Sequence, residues 1–170
     1  MPAFQDLRDI YRQAVHWEKE LSDLYDVAEI GLKRPESKAL IRELVNEHKE
    51  KLQILEKVKI DDFGHTEWVK YPPQFDEDEM VPKRGMAKQT SPEEILQLIL
   101  GFQNRQQTFY QALHDKLVAS GLKDLFASLV TFKRNQADGI RNLMERHASA
   151  EERLPYPRLN PRSIPISTRW

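Results

Sequence analysis

A nine-residue stretch near the amino end of the chain reads Trp17-Glu18-Lys19-Glu20-Leu21-Ser22-Asp23-Leu24-Tyr25. It places the Glu18 carboxylate two helical turns before the Tyr25 phenol, on one face of an amphipathic helix. Further along the chain the pattern returns as Phe102-Gln103-Asn104-Arg105-Gln106-Gln107-Thr108-Phe109-Tyr110. The two stretches therefore predict two related helices in which a Glu has been replaced by a Gln.

Length and composition predict one globular domain. The chain has 170 residues, 39% hydrophobic and 31% charged, which is enough for a sizeable core. The formal net charge of −1 gives no global attraction to nucleic acid or to an anionic membrane, so we expect neither as a partner. The lack of cysteine excludes disulfides, thiolate metal sites and cysteine nucleophiles. Without a signal-peptide core or an apolar run of about 18 residues, a soluble cytoplasmic protein is expected.

Hydrophobic periodicity predicts four long helices. We predict helix 1 over residues 3–30, ending at Gly31, and helix 2 from Pro35 to residue 60. Ser91-Pro92-Glu93-Glu94 is a capping box that predicts the start of helix 3, and Ser120-Gly121 is expected to close that helix. Helix 4 is predicted over residues 122–147.

Residues 61–90 interrupt the helical pattern and predict a long crossover between helices 2 and 3. They contain prolines, Gly64, Gly85 and the acidic run at residues 76–79, which is expected to face solvent. Five apolar side chains predict that the crossover packs on the body: Phe63, Trp68, Tyr71, Phe75 and Met80. After a helical domain of residues 1–150, residues 151–170 predict an extended tail rich in Pro and Arg that docks on the body or on a second chain.

The sequences of the two predicted helix pairs are similar when each residue is compared with the residue at one constant distance further along the chain. This distance is the one that separates Trp17 from Phe102. We call it the repeat offset. The pairs matched in this way include Ile10 and Ile95, Trp17 and Phe102, Tyr25 and Tyr110, Leu40 and Leu125, Leu44 and Leu129, and Val45 and Val130. No gap is needed between residues 10 and 45, so we predict an internal duplication. Two helical hairpins joined by one long crossover predict an all-α, ferritin-like four-helix bundle.

Over residues 5–147 the chain resembles the rubrerythrin/ferritin-like superfamily. The resemblance rests on the helix from Glu18 to Tyr25, on the short hairpin turn after it, and on Glu36-Ser37-Lys38-Ala39-Leu40-Ile41-Arg42-Glu43-Leu44-Val45. In that family helices 1 and 3 each supply a Glu, and helices 2 and 4 each supply Glu-x-x-His. These six residues bind two iron or manganese ions, so the resemblance implies a dimetal oxidoreductase ancestry.

Carried over through the alignment, the six ligand positions fall on Glu18, His48, Lys51, Gln103, Lys133 and Gln136. Only Glu18 keeps its ligand type. A protonated lysine has no lone pair to offer and repels a dication. We therefore expect no dimetal centre, no resident cofactor and no catalytic residue. Tyr25 and Tyr110, which in the family lie near the metals, are expected to be core aromatics with hydrogen-bonded hydroxyls.

A different alignment of helix 2 would restore two carboxylates. A shift by one residue puts Glu47 and Glu50 at three-residue spacing, but it turns the apolar stripe of that helix away from the core. Helix 4 offers no such alternative, because it has no carboxylate between Asp124 and Asp138. We keep the unshifted alignment.

Three hypotheses for function remain open. In the first, Glu18 forms a buried ion pair with Lys133 or Lys51, and the protein has a non-catalytic structural or interaction role as a homodimer or larger homo-oligomer with an unidentified partner. In the second, the chain is an iron- or manganese-dependent oxidoreductase whose residues are misaligned or whose metal binds differently. In the third, the polar core binds an anion or another small molecule. A single metal on Glu18 and His48 is a further variant, with few protein ligands.

The other histidines give weaker signals. His16, His65 and His147 are expected to face solvent, and His114 is expected at the edge of the core. Nucleophilic catalysis finds no support, because Ser91 is explained as a helix cap and no serine lies in a G-x-S-x-G setting.

Overall fold

Four long helices dominate the computed structural model, which describes residues 4–63, 66–83 and 90–152, with side chains up to residue 148. They are α1 (Leu7–Gly31), α2 (Pro35–Lys57), α4 (Pro92–Lys116) and α5 (Ser120–Glu152). The smaller elements are strand β1 (Phe4–Asp6), a 3₁₀ helix (Ile60–Phe63), strand β2 (Trp68–Lys70) and helix α3 (Glu77–Met80). The prediction of a mostly helical chain is confirmed. Within these ranges, no helix is both long enough and apolar enough to cross a membrane.

The bounds of α1 follow from its flanking residues. Asp6 caps the helix by accepting a hydrogen bond from the Arg8 N–H at 2.9 Å. Gly31 ends the helix as predicted. The predicted start near residue 3 is wrong, because residues 4–6 form β1 and pair antiparallel with β2.

Helices α2 and α4 both begin at a proline, where the missing N–H breaks no hydrogen bond. α2 starts at Pro35 as predicted and ends at Lys57, three residues before its predicted end, because residue 60 already belongs to the 3₁₀ helix. α4 starts at Pro92, and the Ser91 hydroxyl accepts a hydrogen bond from the Glu94 N–H at 3.2 Å, which confirms the predicted cap.

The prediction that Ser120-Gly121 closes the third long helix is wrong. α4 ends at Lys116, and Ser120 is the first residue of α5. A side chain from the crossover holds the connection, since the Glu67 carboxylate accepts hydrogen bonds from the Val118 N–H at 3.0 Å and from the Ala119 N–H at 2.5 Å. The signal for this turn therefore comes from a residue in a distant part of the sequence, which local patterns do not register.

Helix α5 is longer than predicted. It continues past His147 to Glu152, into the segment predicted as tail. The remaining tail, residues 153–170, lies outside the described residues, as do the predicted breaks at Gly64 and Gly85.

Neighbouring helices run antiparallel around one core. α1 contacts α2 and α4, and α5 contacts the same two helices. The Tyr11 hydroxyl donates to the Leu55 carbonyl oxygen, which places the start of α1 beside the end of α2. Trp17 packs edge-on against Phe109, in the last turns of α4, with 5.0 Å between ring centroids. Residues 58–91 therefore connect one end of the helical body to the other.

Only part of the crossover packs on the body. Met80 is buried, and Phe75 lies edge-on to Trp17 with 4.9 Å between ring centroids, as the sequence predicts. The prediction is wrong for Trp68 and Tyr71, whose side chains are both 64% exposed. Both lie at the small sheet, where a neighbouring residue, Val69, is the one that enters the core.

The buried apolar residues form two clusters, and a polar layer lies between them. One cluster surrounds Trp17, and the other surrounds Phe102. Each long helix contributes residues to both clusters, and the change from the first cluster to the second takes only a few turns. The residues on either side of this change, with the first cluster named first, are Trp17 and Leu21 in α1, Leu55 and Val45 in α2, Phe109 and Phe102 in α4, and Val130 and Ile140 in α5. Side chains in these intervals therefore meet in the middle of the core.

Candidate functional site

Five of the six positions singled out from the sequence meet in this polar layer, each at most 1% exposed: Glu18, His48, Gln103, Lys133 and Gln136. All four long helices contribute. The sixth residue, Lys51, is only half-buried, and its Nζ lies 5.7 Å from the centroid of the Phe132 ring. Of the two predicted partners of Glu18, the structure therefore selects Lys133.

Glu18 is surrounded by hydrogen-bond donors. The Lys133 Nζ lies 2.5 Å from each carboxylate oxygen. His48 Nε2 lies 2.9 Å from Oε2, and the Tyr110 hydroxyl donates to Oε1 at 3.1 Å. A carboxylate accepts about four hydrogen bonds. Glu18 therefore has little capacity left to bind a metal ion or to accept a proton from a substrate.

The ion pair shifts the pKa of both charged groups. Burial raises the pKa of Glu18, but the Lys133 ammonium and the hydrogen bond from His48 outweigh burial and lower that pKa from 4.5 to about 2. Burial lowers the pKa of Lys133, and the Glu18 carboxylate opposes that shift. Because the ammonium touches both carboxylate oxygens, we assign an ionised pair at neutral pH.

A second hydrogen-bond network lies beside the ion pair. Gln103 Nε2 donates to the Tyr25 hydroxyl at 2.8 Å, and that hydroxyl donates to Gln136 Oε1 at 2.5 Å. Gln136 Nε2 then donates to Glu47 Oε2 at 3.1 Å. Glu47 is exposed, so the network connects the middle of the core with solvent.

The two tyrosines serve different networks. Both are fully buried, but Tyr110 donates to Glu18, whereas Tyr25 donates to Gln136. Burial raises the pKa of both phenols, and the negative charge of Glu18 adds to the shift. Both hydroxyls therefore keep their protons and act as hydrogen-bond donors in the core.

The role of Glu47 escaped sequence reasoning. α2 turns His48 into the core and Glu47 toward solvent, so the shifted alignment with Glu47 and Glu50 as core carboxylates is not adopted. Nothing in the sequence separates Glu47 from the other exposed acids of α2, since its contact with Gln136 requires α5 to lie alongside.

The prediction that His147 faces solvent is wrong. It is 9% exposed and joins the end of α5 to the first turns of two other helices. Its Nδ1 lies 3.1 Å from the Ser37 hydroxyl, and its Nε2 lies 2.8 Å from Glu93 Oε1. Ser37 is itself 4% exposed, so its hydroxyl is not accessible as a nucleophile. The contacts of His147 with Ser37 and Glu93 instead hold the helix ends together.

The remaining candidate groups do not assemble into a site. His16 is exposed, His114 is half-buried, and His65 lies outside the described residues. The acidic run forms α3, where Asp76 accepts a hydrogen bond from the Asp78 N–H at 3.0 Å. Across the described parts of the chain, no three His, Cys, Asp or Glu residues are grouped in a way that could hold a metal ion.

A surface cleft of about 540 Å³ lies between α1 and the end of α2 together with the residues that follow it. Three of its cationic side chains are already paired with acids: Arg8 with Asp6 at 2.7 Å, Arg12 with Asp9 at 2.8 Å, and Lys19 with Glu56 at 3.6 Å. These pairs neutralise much of the positive charge that an anion would need.

In the polar layer the charged and polar side chains bond mainly to one another. Few of their polar atoms are left to bind a ligand or to react with a substrate. Protein-family models, curated proteins and solved structures give no match to this chain. The assignment of a family and a function therefore depends on the residues and the geometry described above.

Proposed function

We propose that this chain is a ferritin-like four-helix bundle related to rubrerythrin, in which a buried ion pair has replaced the dimetal centre. Its role is then structural or interaction-based rather than catalytic. The observation that carries the proposal is the position of Glu18, the one retained family ligand, against the Lys133 ammonium in the middle of the core.

The connections between the helices support the ferritin-like part of the proposal. Residues 32–34 join α1 to α2, and residues 117–119 join α4 to α5. The segment 58–91 joins the two hairpins, and neighbouring helices are antiparallel. Two short-linked hairpins with one long crossover are typical of ferritin-like folds.

The helix bounds support the proposed duplication. α4 begins at Pro92 and ends at Lys116, and each bound follows the corresponding bound of α1 by the repeat offset. α5 begins at Ser120, which follows the first residue of α2 by the same offset. Buried positions match in the same way: Ile10 and Ile95, Trp17 and Phe102, Glu18 and Gln103, Tyr25 and Tyr110, Ile41 and Phe126, and His48 and Lys133.

Electrostatics support the metal-free part of the proposal. A dication beside Glu18 would lie next to the Lys133 ammonium, and two positive charges repel more strongly in the low-dielectric core than they do in water. The lysine thus supplies the positive charge that a metal supplies in the family, and it needs no second carboxylate to balance it.

Metal analysis of the full chain tests this proposal. After growth with added iron and manganese, the purified protein should contain no stoichiometric metal. The control is a variant that restores the family ligands, His48→Glu/Lys51→His/Gln103→Glu/Lys133→Glu/Gln136→His, which should bind metal when it folds. Stoichiometric iron or manganese in the unmodified chain would contradict the proposal and favour the oxidoreductase hypothesis.

The proposed interaction role includes self-association, which stays a prediction, as does a cytoplasmic location. The side chains to substitute first are the exposed aromatics at the small sheet, Trp68 and Tyr71. Light scattering across a concentration series should show a dimer or a larger assembly, which Trp68→Ala/Tyr71→Ala weakens. A monomer at all concentrations would contradict this part of the proposal.

A further inference from the structure

Two carboxylates fix the direction of the hydrogen bonds in the core. Glu47 can only accept, so Gln136 must turn its NH₂ to Glu47 and its oxygen to Tyr25. The Tyr25 hydroxyl therefore donates its only hydrogen to Gln136 Oε1. Its oxygen must then accept a hydrogen bond from the Gln103 NH₂. The other atom of the Gln103 amide is therefore a carbonyl oxygen.

The same reasoning applies to the ion pair. Glu18 can only accept, so the His48 Nε2 at 2.9 Å must carry a hydrogen. In the neutral ring, Nδ1 is then an acceptor with a free lone pair. Each of the two networks thus ends in one buried acceptor without a partner among the described residues, His48 Nδ1 in the first and Gln103 Oε1 in the second.

The two acceptors belong to side chains that flank the same residue. The His48 ring lies 5.1 Å from the Tyr25 ring, centroid to centroid, and the Gln103 amide bonds to the Tyr25 hydroxyl. Both side chains are at most 1% exposed. Buried acceptors in native cores are satisfied by protein donors or by ordered water.

We propose that an internal water molecule binds in the polar layer and donates one hydrogen bond to His48 Nδ1 and one to Gln103 Oε1. Water has the two donors that these acceptors require. A metal or alkali cation could also be bound by two acceptors, but the Lys133 ammonium in the same layer repels it.

The water would join two networks that no described hydrogen bond connects. The first contains Glu18, His48, Lys133 and Tyr110, and the second contains Tyr25, Gln103, Gln136 and Glu47. Each network already contains residues from all four long helices, and the water would combine the two into one network. This inference rests on the metal-free core of the proposed function and adds a ligand to it.

Magnetic relaxation dispersion of ¹⁷O and ²H in the full, metal-free chain tests the proposal, because it detects long-lived internal water. Gln103→Met keeps the length of the side chain and removes the acceptor, so the dispersion amplitude should fall by the equivalent of one water. The matched control is Tyr110→Phe, which removes a hydroxyl that donates to Glu18 in the same layer, leaves His48 Nδ1 and Gln103 Oε1 in place, and should keep the wild-type amplitude.

A second measurement needs no substitution. The ¹⁵N chemical shift of His48 Nδ1 in the wild-type chain should indicate a neutral ring nitrogen that accepts a hydrogen bond. A free lone pair, a protonated Nδ1, or equal dispersion amplitudes in the wild-type and Gln103→Met chains would overturn the proposal. Metal bound in the wild-type chain would instead overturn the proposed function, so the two failures are distinguishable.

Discussion

The first hairpin, α1 and α2, and the second hairpin, α4 and α5, contribute different polar groups to the core from matched positions. Glu18 in the first hairpin corresponds to Gln103 in the second, and His48 corresponds to Lys133. Many buried positions related by the repeat offset are apolar in both hairpins, as at Ile10 and Ile95, although Leu21 is matched by Gln106. The polar residues make the hairpins depend on each other, because the counter-charge of Glu18 in the first hairpin is Lys133 in the second.

The largest expected effect comes from removing the charge that the first hairpin supplies. Glu18→Ala leaves the Lys133 ammonium buried without a partner, and we expect a loss of about 3–5 kcal/mol in the free energy of unfolding. Urea denaturation measures this value. A loss below about 0.5 kcal/mol, as at surface sites, would show that the hairpins do not share a buried charge pair.

The control removes both charges together. Glu18→Leu/Lys133→Met replaces the ion pair by apolar side chains of similar size, and such replacements are often neutral or stabilising. The double variant still leaves the donors of His48 and Tyr110 without Glu18, at about 1–3 kcal/mol for each unpaired group. It leaves no ammonium buried without a partner, so it should be more stable than Glu18→Ala. Equal losses in the two variants would mean that Glu18 stabilises the fold without Lys133.

Acid should break the same pair. The folded pKa of Glu18 is about 2, below its ordinary value of 4.5, so between these values the folded chain binds fewer protons than the unfolded chain. The stability that Glu18 contributes is fully present above pH 4.5 and is lost as the pH falls towards 2. Urea denaturation at neutral and at acidic pH should show a smaller decrease for Glu18→Leu/Lys133→Met than for the wild type. An identical decrease would contradict the lowered pKa.

The matched tyrosines should differ when their hydroxyls are removed. Tyr25→Phe leaves Gln103 Nε2 and Gln136 Oε1 without a partner, at about 1–3 kcal/mol for each unpaired group. Tyr110→Phe leaves Glu18 with its bonds to Lys133 and His48, so we expect a loss of about 1 kcal/mol. Thermal and urea denaturation of the two variants provide the comparison. A reversed order would show that the second network contributes less than its geometry implies.

The smallest expected effect concerns the contact between the hairpins at Gly139. A Cβ at this position would lie 2.5 Å from Leu44 Cδ2, which is too close for two carbon atoms. The residue at the matched position of the first hairpin, Ile54, is exposed, so the first hairpin has room for a large side chain where the second has none. We expect Gly139→Ala to lose about 1 kcal/mol, because overpacking outweighs the gain in helix propensity. Urea denaturation measures the difference from the wild type.

Gly101→Ala provides the control in the same hairpin. Its Cβ would meet the exposed guanidinium of Arg105 at 3.0 Å, and that side chain has room to move. This substitution should leave stability unchanged or raise it by up to about 1 kcal/mol. If both alanines stabilise the protein equally, α2 does not approach α5 closely at Gly139.

Local signals were sufficient for much of the fold. The starts at Pro35 and Pro92 and the cap at Ser91 depend on a few adjacent residues, and the structure confirms all three. Lys133 was identified as a candidate partner of Glu18 by carrying the ligand positions of the superfamily that the chain resembles onto this sequence, and the structure confirms the contact.

Contacts between distant segments were not predictable in the same way. β1 pairs with β2 although the whole of α1 and α2 lies between them in the sequence, and each strand has only three residues, too few for a periodicity signal. Lys51 lies on the same face of α2 as His48, and only the packed position of Phe132 shows that its side chain ends at the edge of the core. His147 is buried because α5 passes the starts of α2 and α4.

The ion pair also has a consequence for how the chain folds. Glu18 and Lys133 are separated by 115 residues, so their contact requires both hairpins and the crossover to be in place. Closing such a long loop costs more chain entropy than forming a helix or a short turn, so we expect this contact to form late in folding. Substitutions at Lys133 should therefore accelerate unfolding more than they slow folding. We therefore expect the pair to slow the separation of the assembled hairpins more than it speeds their assembly.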